Sequence, residues 1–141
     1  MTKRFNNLFQ IRWKEKLGKP ECPYLIRYTL ILFGFSIRLH HWVRSDASTV
    51  YFHDHSCDFV SFVLKGYYNN VTENGTTEVK AGSFWFSKAQ KKHYLKIPEC
   101  GAWTLLICSR PYHKWGFYVN GHKWRPKRFF SKFSHNPCDM Q

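Results

Sequence analysis

The sequence predicts an all-β protein, a barrel or sandwich of short strands, on three observations. Aromatic residues make up 19% of its 141 residues, and Phe, Tyr and Trp favour the pleated, half-buried surface of a sheet. Helical periodicity of any length is missing, whereas short apolar or alternating stretches recur between turn residues. Two Asn-Gly pairs, Asn74-Gly75 and Asn120-Gly121, stand between strand-like segments, and this dipeptide is the strongest short hairpin signal.

Taken in order, the first 20 residues suit either a short helix or a strand. Residues 24–33 and 35–43 read as two strands pivoting at Gly34, and residues 50–53 as a further short one. Residues 59–71, FVSFVLKGYYNNV, are rich in β-branched and aromatic side chains, and ENGTTEV supplies a hairpin turn after them. Gly82 opens SFWF, HYLKI follows, and WTLLICS comes after the turn at 98–101. WGFYV and HKWR flank the second Asn-Gly, and the last dozen residues read as frayed. Roughly nine or ten short strands without a helix suit a sandwich or barrel. No repeat, low-complexity tract or linker interrupts them, so residues 1–141 read as one domain, with a barrel at about 24–125 between basic flanks.

The formal net charge is +13. Residues 1–19 carry six basic side chains against one acid and residues 110–141 seven against one, while residues 20–109 hold nine against seven. The excess sits on the flanks, which weakens a nucleic-acid reading but suits steering of an anionic ligand. The most apolar run, residues 28–37, is about half the length of a membrane span, and Arg27 and Arg38 flank it. The basic start has no apolar segment or cleavage site of a secretory signal, so the expectation is a cytoplasmic protein away from membranes. Five cysteines with no CxxC pair argue against a disulfide framework and a zinc ribbon, and predict free, mostly buried thiols.

The chemistry concentrates in FHDHSCD, residues 52–58. In extended chain, side chains at i and i+2 share a face, so His53 and His55 present two imidazoles together and Asp54 points away. Two such rings can share one metal ion at metal–nitrogen distances near ~2.1 Å.

The surroundings resemble the two sequence motifs of the cupin superfamily. In the first, G-x5-H-x-H-x(3,4)-E-x6-G, His53, His55 and Gly66 fall in register, with eleven positions from the second His to the closing Gly. The second, G-x5-P-x-G-x2-H-x3-N, is echoed by AGSFWFSKAQKKHYLKI, where Gly82 and His93 keep their eleven-position separation. RLHHW, HDHSCDFVSFVLKGYY, AGSFWF and KWGF look like a group of small uncharacterised cupins of phages and bacteria. The resemblance covers about residues 24–125. It implies the double-stranded β-helix, with His53, His55 and His93 converging in one mouth of the barrel as ligands of one divalent metal ion: iron, manganese, nickel or zinc.

The departures bear on chemistry. Phe59 stands where the motif has Glu, and Ala47 replaces the Gly before the first His. Lys88, Gln90 and Ile97 replace the Pro, Gly and Asn of the second motif. Asp58, one residue before the motif position, supplies the missing carboxylate through a bulge, caps the turn, or hydrogen-bonds a neighbouring strand from outside. Two His with a carboxylate suit non-haem iron oxygen chemistry, and three neutral imidazoles leave more positive charge for an anionic ligand.

Other residues have less specific patterns. In IRLHHW, Arg38, His40 and Trp42 share one face and Ile37, Leu39 and His41 the other. The second set is more apolar and reads as the core face. Arg38 and His40 are then solvated, or line the mouth and grip an anionic substrate. Of Tyr67 and Tyr68 one faces inward, and Tyr67 is the candidate for the substrate. Cys57 suits a small residue in a tight turn, and His113, His122 and His135 read as surface residues. Trp115, Phe117 and Trp124 read as a core or homodimer contact.

The functional expectation is a metal-dependent cupin acting on an anionic small molecule, with oxygenase-type chemistry ahead of isomerase or lyase chemistry. A non-catalytic cupin that sequesters a small molecule or nucleotide is the alternative, and a nucleic-acid-associated protein the third class. Signatures of triad hydrolases, nucleotide hydrolysis and dinucleotide binding are missing.

Overall fold

The computed structural model describes residues 8–133. Within them the alternating stretches form ten strands, followed by one helix. They are β1 (Phe9–Lys19), β2 (Cys22–Leu32), β3 (Phe35–Trp42), β4 (Phe59–Thr72), β5 (Gly75–Lys80), β6 (Phe84–Ser87), β7 (Tyr94–Lys96), β8 (Ala102–Cys108), β9 (Phe117–Val119), β10 (His122–Trp124) and α1 (Pro126–Phe133). The main sheet runs β1-β2-β3-β8-β4-β5, with β6 and β7 also paired to β4, and β9 and β10 form a separate ribbon. Every named pairing is antiparallel.

β4 wraps the sheet into a barrel. Its first half pairs with β6 and β8 and its second half with β5 and β7. Between them the β4–β8 register slips, from Val63 to Lys65. A bulge of this kind bends a strand and reverses which residues point inward. Phe59, Ser61 and Val63 are buried before it, and Tyr68 and Asn70 after it. The neighbouring Gly66 has φ +81, and a Cβ there would lie 2.6 Å from the Gly101 carbonyl oxygen. The motif glycine is thus required by the approach of β8, beyond any turn.

The hairpins follow local chemistry. Asn120 and Gly121 both have positive φ, at 51° and 79°, as a two-residue turn demands. Phe33 and Gly34 do the same between β2 and β3, at 51° and 86°. The β4–β5 turn closes one residue earlier than Asn74-Gly75 suggests, because Thr72 already pairs with Gly75. There the Thr72 hydroxyl accepts from the Asn74 amide at 3.2 Å and donates to the Gly75 carbonyl at 3.2 Å.

Three expectations change. Residues 50–53 form no strand; only His53 makes isolated bridges, to His93 and Phe117. Residues 126–133 form a helix too short to show periodicity. Phe129 is buried and stacks on Phe117 at 3.9 Å, and Phe133 meets Trp124 at 5.1 Å edge-on. Trp115, Phe117 and Trp124 are thus part of a satellite core under this helix. Finally, the inward face of β3 is the polar one. Ser36, His40 and Trp42 are buried, whereas Phe35 and Ile37 are 52% and 44% exposed.

Cys57 and Cys108 are buried free thiols, and Cys100 is an exposed one. Cys22 departs from the free-thiol expectation and is disulfide-bonded. Cys138 and His135 lie outside the described residues. No helix among the described residues is long and apolar enough to cross a membrane.

Candidate metal centre

The segment that carries His53 and His55 crosses the barrel mouth in extended form, held from both sides. The His53 amide donates to the His93 carbonyl and the His93 amide to the His53 carbonyl, each at 3.0 Å. The Asp54 amide reaches the Gly116 carbonyl at 3.1 Å, and the His55 amide reaches Ala89 at 2.8 Å. Side-chain alternation then sends the two imidazoles inward and Asp54 outward, as the spacing predicts.

Asp54 anchors this arrangement from behind. Its fully buried carboxylate accepts from His113 Nε2 at 2.7 Å, Lys123 Nζ at 2.8 Å, the Gly116 amide at 2.8 Å and the Tyr118 hydroxyl at 2.9 Å. Burial alone would raise this carboxyl, but the bonds from Lys123, His113, Gly116 and Tyr118 outweigh it and hold it below its ordinary value. His113, expected at the surface without a partner, is therefore part of the scaffold.

One ring nitrogen from each of His53, His55 and His93 lies within 4.8 Å of the other two. His55 Nε2 and His93 Nε2 are 3.3 Å apart. Two nitrogens each at ~2.1 Å from one ion are separated by about 3.0 Å at a right angle and about 3.4 Å at a tetrahedral one. The 3.3 Å pair already fits a shared ion, and the wider pairs of the group, which reach up to 4.8 Å, close to at most about 4.2 Å when one ion is held. His93 Nδ1 donates to Asn70 Oδ1 at 2.7 Å, which leaves its Nε2 lone pair facing the other rings. Burial and the neighbouring imidazoles and cations hold His55 and His93 well below the usual histidine range, so both are neutral, as metal ligands must be.

The rings open on a cavity of about 190 Å³ inside the barrel. Phe59 and Trp85 wall it, in edge contact at 5.3 Å, and Trp85 Nε1 donates to the buried Tyr68 hydroxyl at 2.5 Å. Arg27, Arg38, His40 and Thr104 line it from β2, β3 and β8. Arg27 Nε donates to Glu15 at 3.1 Å. Arg38 Nε donates to the Ser36 hydroxyl at 3.1 Å and meets no carboxylate among the described residues. His40 is buried with neither ring nitrogen hydrogen-bonded, and burial with Arg27 and Arg38 nearby keeps it neutral.

Two candidates move away from the site. The carboxylate of Asp58 accepts from the Ala89 amide at 2.8 Å and the Tyr112 hydroxyl at 2.6 Å, and Lys88 lies 3.4 Å away. It ties down the turn from outside and is not among the clustered ligands. Tyr67 is 43% exposed, and Tyr68 takes the inward position, because the bulge in β4 reverses the alternation.

One residue of the site was not anticipated. Asp46 stands in the unpatterned stretch after β3, seven positions before His53. Its Oδ2 lies 3.7 Å from His53 Nε2 and accepts from the Leu95 amide at 3.1 Å. The only sequence signal is an acidic residue shortly upstream of the His pair.

The sequence matches no protein-family model and no curated protein. Solved structures do match. A putative ethanolamine utilization protein Q from Salmonella typhimurium is 14% identical, with TM-score 0.56 over 74% of this chain and 95% of that one. An RmlC-like cupin from Shewanella frigidimarina is 16% identical, with TM-score 0.54 over 75% of this chain and 86% of that one. Iron(II) HppE is 11% identical, with TM-score 0.54 over 72% of this chain; this chain spans 56% of HppE, little more than half its length. The chain therefore shares the fold of these cupin structures, an antiparallel β-barrel, and gathers three histidines in its mouth.

Proposed function

We propose that this protein is a metal-dependent cupin that acts on an anionic small molecule inside the barrel. The observation that carries the reading is the convergence of His53, His55 and His93 on one buried point, with two of the rings neutral and His93 aimed by Asn70. A divalent ion held there supplies Lewis acidity and open coordination positions for a ligand.

The chain's own residues do the rest. Phe59 and Trp85 keep bulk water from the rings, and Arg38, which meets no carboxylate among the described residues, offers its guanidinium to a negative group. His40, neutral and without a partner, donates or accepts one hydrogen bond there. The charge and polarity of this wall support an anionic ligand, and the number of groups converging on one cavity supports turnover over simple sequestration.

The test is elemental analysis of untagged protein beside a His53→Ala, His93→Ala double variant. About one equivalent of iron, manganese, nickel or zinc in the parent and none in the folded variant supports the reading. A parent that stays metal-free after reloading would leave the barrel as a plain binding pocket.

A further inference from the structure

The outward side of the main sheet is apolar from edge to edge. Neighbours across the strands make one row of Ile11, Leu30, Ile37, Ile107, Val60 and Phe86, from β1 through β2, β3, β8 and β4 to β6. The next row runs from Tyr28 through Leu39, Leu105 and Phe62 to Phe84. Phe9, Leu32 and Phe35 extend the rows at one end, and Trp13 joins through its edge contact with Tyr28 at 4.8 Å. We infer that this face is a homodimer interface, on which a second copy of the chain packs sheet to sheet about a two-fold axis. The face lies on the opposite side of the sheet from the cavity, so its occupant does not depend on the metal.

The area is that of an interface. Nine large apolar side chains of the face are exposed, from Leu32 at 40% to Trp13 at 77%. At about 200 Å² for a large side chain, roughly half of it open, they present on the order of 900 Å². The largest apolar patch of an ordinary monomer is about 300–600 Å², whereas each partner in a stable complex buries about 800 Å². The face therefore exceeds what monomers expose and matches what one sheet-on-sheet contact covers.

Composition selects the occupant. Neither row has a charged residue, and the Tyr28 hydroxyl is the only side-chain hydrogen-bonding group in them. Interfaces between unlike, transient partners are about as polar as the rest of a surface, while permanent homodimer interfaces are more apolar. A lipid surface calls for Lys or Arg interleaved with the aromatic rings. Here the cations over the rings, Arg110 on Phe35 at 5.0 Å and Lys88 on Phe86 at 5.8 Å, stand past the ends of β8 and β6. The same strands carry Arg38, His40 and Thr104 into the cavity. Each strand thus serves two interiors, with polar side chains toward the cavity and apolar ones toward the partner copy. The outward Phe35 and Ile37 of β3 follow from that.

The experiment measures the mass of the full chain in solution by light scattering and by sedimentation equilibrium over a series of concentrations. One variant is Ile107→Glu, which sets a carboxylate into the face of both copies. The other joins Phe84→Ser to Phe86→Ser, which removes apolar area without adding charge. Val50→Glu, at an exposed residue of the loop before the histidine pair, is the control. Circular dichroism and melting of each variant report its fold, and the uncharged double variant decides if Ile107→Glu does not fold. The expected result is twice the chain mass for the parent and for Val50→Glu. Dissociation should be at least ~100-fold easier in Ile107→Glu, because like charges juxtaposed across an interface are strongly unfavourable, and easier in the double variant. A parent that stays monomeric at every concentration overturns the assignment, and cosedimentation of that monomer with phosphatidylglycerol vesicles would give the face to a lipid surface instead. A dimer that withstands both face variants overturns it as well, since the copies then meet elsewhere.

Discussion

Asn70 offers a sharp test of how the site is organised. Its Oδ1 is the acceptor facing His93 Nδ1, at 2.7 Å in a buried setting, with Asn70 8% exposed. Asn70→Leu removes that acceptor at nearly constant volume and leaves a buried ring N–H unpaired. An unmade buried hydrogen bond costs about 1–3 kcal/mol. At about 4 °C per kcal/mol for a domain near this size, the metal-free protein should melt about 4–12 °C lower. The same loss frees the His93 ring to change tautomer and turn, and supporting residues of this kind are worth about 10–100-fold in metal affinity, or about 1.4–2.7 kcal/mol. Chelator-competition titration with zinc reads the second effect and thermal unfolding the first. Melting that falls while zinc affinity stays within threefold would refute the claim that Asn70 aims His93, and would reduce it to a packing residue.

Asp58→Asn should leave metal content unchanged, because its carboxylate braces Ala89 and Tyr112 outside the mouth; elemental analysis showing metal loss would return it to the ligand set. Tyr68→Phe should destabilise by about 1–3 kcal/mol, since it strands the Trp85 indole N–H in the barrel wall, while Tyr67→Phe on the exposed side should be silent in urea unfolding. Phe129→Ala should cost about 3–5 kcal/mol, because this ring is 1% exposed and stacks on Phe117; a loss under ~1 kcal/mol would show that α1 is dispensable to the barrel.

What the sequence made legible is what depends on short-range geometry. The i, i+2 spacing of His53 and His55 and the hairpins near both Asn-Gly pairs follow from backbone repeat alone, and the structure keeps them. Gly66 was legible as a motif position, though its cause, the close approach of the Gly101 carbonyl, is a long-range contact. Tyr67 was misplaced because one inserted residue in β4 reverses alternation, and Val63 to Lys65 carry no mark of it. The face of β3 was misread for a different reason. Alternation assumes that apolar residues point inward, but this barrel encloses a cavity, so Arg38 and His40 face in while Phe35 and Ile37 stay on the outer surface. Asp46 has no pattern of its own and gains meaning only from its pairing with Leu95.

That inversion of β3 bears directly on the ligand. Arg27 is matched by Glu15 at 3.1 Å, whereas Arg38 has no acidic partner among the described residues. His40, His55 and His93 contribute no charge in the neutral form that burial enforces. On the proposed reading, a divalent ion on His53, His55 and His93, with the Asp46 carboxylate 3.7 Å from His53, adds about one net positive charge beside that of Arg38. Two unmatched positive charges at separate points of a small, largely apolar cavity are unfavourable in isolation. They are best met by a compact ligand carrying two negative groups, one reaching the ion and one reaching Arg38 and His40. A neutral sugar would leave the Arg38 guanidinium unpaired, and a monoanion would satisfy one end of the cavity while leaving the other uncompensated.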